Sequence, residues 1–332
     1  MLEDRKAAIL SAVVAEYIET AVPVGSGHIS SAPGVDVSSA TVRNELVHLE
    51  EQGYLVKPHT SAGRIPTDKA YRFFVDQLDR PGPLDPGDRE QVSAFFARSY
   101  NELEQMLSDT STLLADLTGT AAVVIAPDRH HQEVRSVQLV SLSAQVTLLV
   151  LVMANGSLEK HVEELATEAV ESTVAVASAH LSAALIGRRS SDVPVAPLSG
   201  DVAVDQVLSA VMTVLGARPE VLDQAFVGGT SQVAASFHGV ERIQQVLAVL
   251  ERQFVVVSLI RDVIDRGLTV AIGSETGVKP LAECALVVAP YEVEGERAGS
   301  IAVLGPTHMN YPQALATVAV VGRQLGQRIT EG

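Results

Sequence analysis

The chain has 332 residues and a formal net charge of −16; 47% of its residues are hydrophobic, only 4% are aromatic, and none is tryptophan. That length suits two or three domains, and Ala, Val and Leu must pack their cores. A single cysteine excludes an internal disulfide framework and suits a reducing cytoplasm. No apolar run reaches the roughly 20 residues of a membrane span, and the charged start Met1–Lys6 does not read as a signal sequence.

Residues 3–20 are predicted to form an amphipathic helix with Ile9, Val13, Val14, Tyr17 and Ile18 inward. Pro23-Val24-Gly25-Ser26 is a turn, and Ser26 is placed to cap a short helix ending near Pro33. Ser38 then caps a third helix. Its Val42, Leu46 and Leu49 fall at i, i+4 and i+7 on one buried face, and Gly53 ends it. Ala40, Asn44 and Val47 point the opposite way, flanked by Thr41, Arg43 and His48. This face is small, polar and partly basic. Asn suits adenine, Arg suits guanine, and Ala and Thr methyls can meet thymine.

A hairpin follows over Lys57–Arg64. Pro58 makes its strand an edge, and Ala62-Gly63 supplies the turn. From Leu55 to Val75 the bases are Lys57, Arg64, Lys69 and Arg72 against Asp68 alone, an island of positive charge in an acidic chain. Phosphate neutralisation is local, so this island outweighs the total charge as a sign of nucleic-acid binding. Helix, short helix, turn, third helix and basic hairpin is the order of a winged helix-turn-helix domain. The candidate contacts to double-stranded DNA are Ser38, Ser39, Thr41, Arg43 and Asn44 on the helix. Lys57, His59, Thr60, Ser61, Arg64, Lys69 and Arg72 are the candidates on and after the hairpin.

The Pro- and Gly-rich stretch 81–87 reads as a flexible linker. A long helical region over 89–117 follows. Strands are predicted at 120–127, 134–143 and 145–154, with an Asn155-Gly156 turn into 157–163. An Ala-rich helix covers 166–186, a loop 187–200, and helices lie near 240–252 and 254–267. Strands at 268–272, 285–291 and 300–304 and a closing helix at 311–329 complete the chain. Strands on both sides of a helical middle indicate an α+β domain interrupted by an insertion.

No stretch carries catalytic chemistry. Cys284 opens an apolar strand and reads as a small buried hydrophobe. His130-His131 lack metal-ligand spacing. Gly228-Gly229-Thr230-Ser231 is not a phosphate loop but a turn and helix cap, and Gly273-Ser274-Glu275 is not a nucleophile elbow. No cofactor or metal is expected, nor is enzymatic activity.

The segments EYIETAVPVGS (16–26), VSSATVRNELVHLEEQGYLVKPHTSAGRIPTDKAYRFFVD (37–76), GGTSQV (228–233), VAIGSE (270–275), CALVVAPY (284–291) and GSIAVLGPTHMNYP (299–312) resemble, in order, the heat-inducible transcription repressors called HrcA. His308 departs from that family's usual Arg, and residues 187–225 match poorly. The resemblance implies a multidomain α+β protein. A winged-helix domain spans 1–80, a linker 81–88, and a GAF-like domain 89–187 with 239–332. A dimerising insertion is expected at 188–238. Its apolar helix Val204–Leu215 is the first candidate interface between subunits, and the 89–117 helix the second. The resemblance also implies a homodimer that represses chaperone genes from an inverted-repeat (CIRCE) operator, with activity dependent on a GroEL-type chaperonin. The alternative is a metabolite-sensing regulator that uses the GAF-like domain as a pocket.

Overall fold

The computed structural model describes residues 2–35, 37–59, 63–78, 81–98, 102–127, 133–154, 156, 158–189, 198–216, 224–237 and 239–331. It is a mixed α and β chain with three β-sheets among the described residues.

The first 78 residues begin with helix α1 (Asp4–Thr20), one-turn α2 (Ser26–Ile29) and α3 (Ser39–Glu51). Ile9, Leu10, Val13 and Val14 of α1 pack with Ile29 of α2 and with Val42, Leu46 and Leu49 of α3. Each such side chain is stabilised by roughly 1.5–3 kcal/mol on burial. A two-stranded antiparallel ladder pairs β1 (Leu55–Val56) with β2 (Ile65–Pro66). Val24 and Arg64 exchange backbone hydrogen bonds of 2.9 Å in both directions, tying the hairpin base to the segment before α2. Helix α4 (Asp68–Asp76) leads out of this region. The Ala62 side of the predicted hairpin turn lies outside the described residues.

The expected long helix at 89–117 is two helices, α5 (Pro86–Phe96) and α6 (Leu103–Thr118). Asp85 caps α5 through the Gly87 N–H and Pro86 fills its first turn, so the described linker is shorter than 81–88. A five-stranded antiparallel sheet comes next. It is built from β3 (Ala121–Ile125), β7 (Ala225–Gly228), β8 (Val270–Ile272), β9 (Cys284–Val293) and β10 (Glu296–Pro306), in the order β7-β3-β10-β9-β8. Both faces are covered. Ala122, Val124, Val287 and Val303 pack toward α6 and the final helix α12 (Tyr311–Glu331). Ala121, Val123, Leu286 and Leu304 pack toward α9 (Thr230–Ser236), α10 (Val240–Leu250) and α11 (Gln253–Asp265). Two buried faces explain why β3 reads as an unbroken apolar run, AAVVI. At the Gly228-Gly229 turn, a Cβ on Gly228 would run into the Ser111 backbone, and Gly229 takes a φ of 69° as the N-cap of α9.

Between β3 and β7 the chain leaves this sheet and builds a separate one. Strands β4 (Val134–Ser143), β5 (Val146–Met153) and β6 (Leu158–Glu164) form an antiparallel meander. One of its faces is covered by α7 (Glu171–Leu185) and α8 (Val202–Gly216). The chain has left the main sheet before Val134 and is back in it by Ala225. Among the described residues, strands β4, β5 and β6 form a sheet of their own. The apolar helix expected to join subunits does not offer its stripe: Val204, Val207, Leu208, Val211, Met212 and Leu215 are buried within the unit. The second candidate is occupied too, since α6 packs on β3, β7 and α12. The predicted Asn155-Gly156 turn falls partly outside the described residues.

Among the described residues no single helix is long and apolar enough to cross a membrane; α10 and α11 pass that test only as a pair bent by 84°. Their apolar faces line the sheet core.

Candidate nucleic-acid interface

The exposed face of α3 is built from its cap outward. Ser38 is extended, and its Oγ accepts the Thr41 N–H at 3.2 Å and sits 3.0 Å from the Thr41 hydroxyl. This fixes the first turn and leaves Ser39, Ala40, Arg43, Asn44, Val47 and His48 in solvent. Gly53, with φ 76°, reverses the chain after the helix, and the Tyr54 N–H returns to the Leu49 carbonyl at 2.9 Å. Thr41 is half-buried, with its hydroxyl 3.0 Å from that of Ser38.

One residue that the sequence reading passed over holds this helix in place. Glu45 lies on the buried stripe beside Val42 and Leu46 and accepts from Arg5 Nε of α1 at 3.0 Å. A carboxylate one turn from an apolar triad requires a cation from another element, and that was the available signal.

The basic island divides into two groups. Lys57 and His59 are exposed at the hairpin. Thr60 and Ser61 lie outside the described residues. Lys69 is exposed at the start of α4. Its Nζ donates to the Gln52 carbonyl at 2.9 Å and stands 4.2 Å from the Tyr54 ring centre, which fixes its position without removing it from solvent.

The other two bases are turned inward. The Arg64 side chain is only 15% exposed and pairs with Glu50 at 3.4 Å. Arg72 faces the five-stranded sheet, where Nε donates to Glu275 Oε1 at 2.9 Å and Nη2 donates to the Val270 carbonyl at 2.7 Å. In this geometry each of the two guanidinium groups is already paired with a carboxylate. Sequence could locate the charge island, but the carboxylates that neutralise half of it lie on another helix or some 200 positions away.

Cys284 is 1% exposed. Burial, with the Glu283 charge, pushes its thiol up to about 12 against a smaller opposing effect of Arg242, so it is a packed hydrophobe and not a nucleophile. Gly273-Ser274-Glu275 forms a 3-10 turn in which Glu275 accepts the Ile272 N–H at 2.9 Å. The His130-His131 pair lies outside the described residues.

A family model described as the HrcA protein C-terminal domain matches residues 104–315. The chain is 37% identical over 341 residues to the heat-inducible transcription repressor HrcA of Nocardia farcinica, covering 99% of this chain and 97% of that protein. Identity to the repressor of the same name from Streptomyces avermitilis is 35% over 338 residues, covering 100% of both. The Listeria monocytogenes repressor is 30% identical over 339 residues, with 100% of this chain and 98% of that protein covered. A crystal structure described as a hypothetical protein at 2.2 Å resolution shares the fold, with a TM-score of 0.62 and 23% identity over 100% of this chain and 99% of that one. This chain belongs to the HrcA family of heat-inducible transcription repressors.

Proposed function

We propose that residues 1–78 are a winged helix-turn-helix reader whose α3 enters the major groove of an inverted-repeat, CIRCE-type operator. The supporting observation is the capped, outward face carrying Ser39, Arg43 and Asn44, with the exposed Lys57 on the adjoining hairpin. An Arg and an Asn side by side at the front of a groove-sized helix suit a G and an A on neighbouring base pairs. Lys57 and Lys69 suit the phosphates beside them. The five-stranded sheet, layered between helices, is read as the GAF-like body.

An inverted repeat calls for two readers related by the protein's own two-fold axis. We place the interface between subunits on the uncovered face of the β4-β5-β6 sheet. Leu148, Val150 and Val152 run down its central strand, Val162 stands opposite Leu148 in register, and Leu158 stands opposite Val152. Val140, Leu142, Leu158 and Val162 are 37%, 55%, 51% and 64% exposed. A face of this composition suits a second identical sheet, with Lys160 and Glu164 as polar neighbours. The same apolar face on an unpaired chain would be a substrate surface for a GroEL-type chaperonin, which supports the reading that repression depends on chaperonin supply.

The test is titration of a labelled inverted-repeat duplex with the full chain, alone and with a GroEL-type chaperonin. Tight, sequence-dependent binding by a dimer, with more active protein when chaperonin is present, is the expected result. A monomer with equal affinity for random DNA would overturn it. The metabolite-sensing alternative has one observation behind it, an open groove of about 620 Å³ lined by Ala225, Val227, Leu247 and Leu250. Melting-point shifts in a metabolite screen would favour that reading.

A further inference from the structure

The reader is not suspended on its linker. Helix α4 is seated on the edge strand β8 and on the turn that follows it. Arg72 engages Glu275 with two nitrogens, and its Nη2 also occupies the Val270 carbonyl, an acceptor on the sheet's open edge. Asp76, one turn along α4, holds Arg72 Nη1 at 3.3 Å.

A second contact lies beside it. Asp68 Oδ2 accepts the Ser274 N–H at 3.4 Å, and its carboxylate fills the space that a Cβ on Gly273 would take. Gly273 also has a φ of 54°, in the left-handed region that favours glycine. Tyr71 lies between these polar contacts with its ring centre 6.0 Å from that of Tyr311, and both rings are buried. At the far side Tyr17 meets His308 edge to face at 6.1 Å. A bidentate arginine, a glycine that admits a carboxylate, and a closed aromatic pair together define one seating of reader on body. In this seating the Arg43 and Asn44 face of α3 remains exposed.

We propose that Arg72 is a positioning residue for operator recognition. Through Glu275 it fixes the reader on the body, so that this contact, and not the linker, sets the spacing and facing of the two recognition helices. The proposal rests on the paired-reader reading above. One added base pair between half-sites turns them by about 35° about the duplex axis. A rigid pair of readers must reject that change, whereas tethered readers would follow it.

The experiment has two arms. Cysteines replacing the exposed Gln52 and Gln245 carry spin labels, the buried Cys284 being unreactive, in full-length chain diluted with unlabelled chain. The wild type should give one narrow distance. Arg72→Gln and Glu275→Gln should both broaden it, Arg72→Gln at least as much because it also releases the Val270 carbonyl, and the double variant should add nothing to Arg72→Gln. In the second arm, inverted repeats with spacers altered by one base pair are titrated. The wild type should lose about tenfold in affinity, and both variants should lose most of that discrimination while keeping wild-type affinity for a single half-site. Distances that stay narrow in both variants would overturn the clamp. So would Arg72→Gln weakening the single half-site while Glu275→Gln does not, since Arg72 would then be touching DNA. A wild type indifferent to spacer length overturns the paired reader itself, and the distances then judge the clamp alone.

Discussion

Glu45 is anchored by Arg5 across the α1–α3 contact, with Nε 3.0 Å from Oε1, although Glu45 stands among the apolar residues that seat α3. The pair is unequal in exposure: the Glu45 side chain is 6% exposed and that of Arg5 54%. Removing the arginine therefore leaves a desolvated carboxylate without its cation. Arg5→Ala should cost about 1–3 kcal/mol in urea unfolding. Glu45→Gln should cost less, because a neutral amide tolerates the site. Both should weaken operator binding only as far as α3 shifts. An Arg5→Ala chain as stable as the wild type would show that water satisfies Glu45.

On the outer face of α3, Arg43→Ala should weaken specific binding by about 1–3 kcal/mol and relax preference at one base pair per half-site. Selection from a randomised operator library would read this directly. An unchanged sequence preference would remove α3 as the reading element.

The two hairpin cations should now separate. Lys57 is exposed, so Lys57→Ala should weaken operator and random duplex alike and lower the salt slope by about 0.9. Arg64 is held by Glu50 beneath the hairpin, so Arg64→Ala should lower thermal stability and leave the salt slope as it was. A slope that falls with Arg64→Ala would restore Arg64 as a phosphate contact.

The contrast between Lys57 and Arg64 shows what a sequence can carry. Helix α3 was legible to the residue, because its cap, its i, i+4, i+7 stripe and its terminal glycine are all local. Most strands were also legible, although β7 was missed, but their partners were not. β4 and β6 alternate buried and exposed positions, whereas β3 and β9 begin with five buried residues in a row. That difference separates a one-sided sheet from a two-sided one. It is present in the letters of β4 and β6 but not in those of β5, whose VTLLVLVM is apolar nearly throughout. The Arg72 contact had no such signal, since a guanidinium in a basic island carries no mark of a carboxylate 203 positions away.

Glu275 makes the clamp sensitive to acid. Burial raises its carboxyl, but the Arg72 hydrogen bond, the Ile272 N–H and the charges of Arg72 and Arg266 outweigh burial and hold it below the usual carboxylate range. A group whose pKa is lowered by folding contributes stability that is complete above its unfolded value, about 4.3, and is lost as pH falls through the folded one. The difference in urea stability between wild type and Glu275→Gln should therefore stay constant from about pH 8 to pH 5 and close below about pH 4. A difference that does not shrink as pH falls below about 4 would mean that Glu275 acts through packing and not through its charge.

The proposed pairing of two open β4-β5-β6 sheet faces predicts how the subunits would come apart. Val162 is 64% exposed and lies opposite Leu148 of the central strand. A lysine there keeps its ammonium in water in the single chain and should change the stability of one subunit by less than about 0.5 kcal/mol. Between two copies of this face the same ammonium would be buried among aliphatic side chains, at a cost of several kcal/mol. Val162→Lys should therefore sediment as a folded monomer at concentrations where the wild type is a dimer, and its operator affinity should fall toward that of a single half-site. Ser209→Lys, on the outward side of α8, is the matched control and should remain a dimer. If Val162→Lys stays dimeric and Ser209→Lys does not, the interface lies on the helical side of the unit and the open sheet face needs another partner.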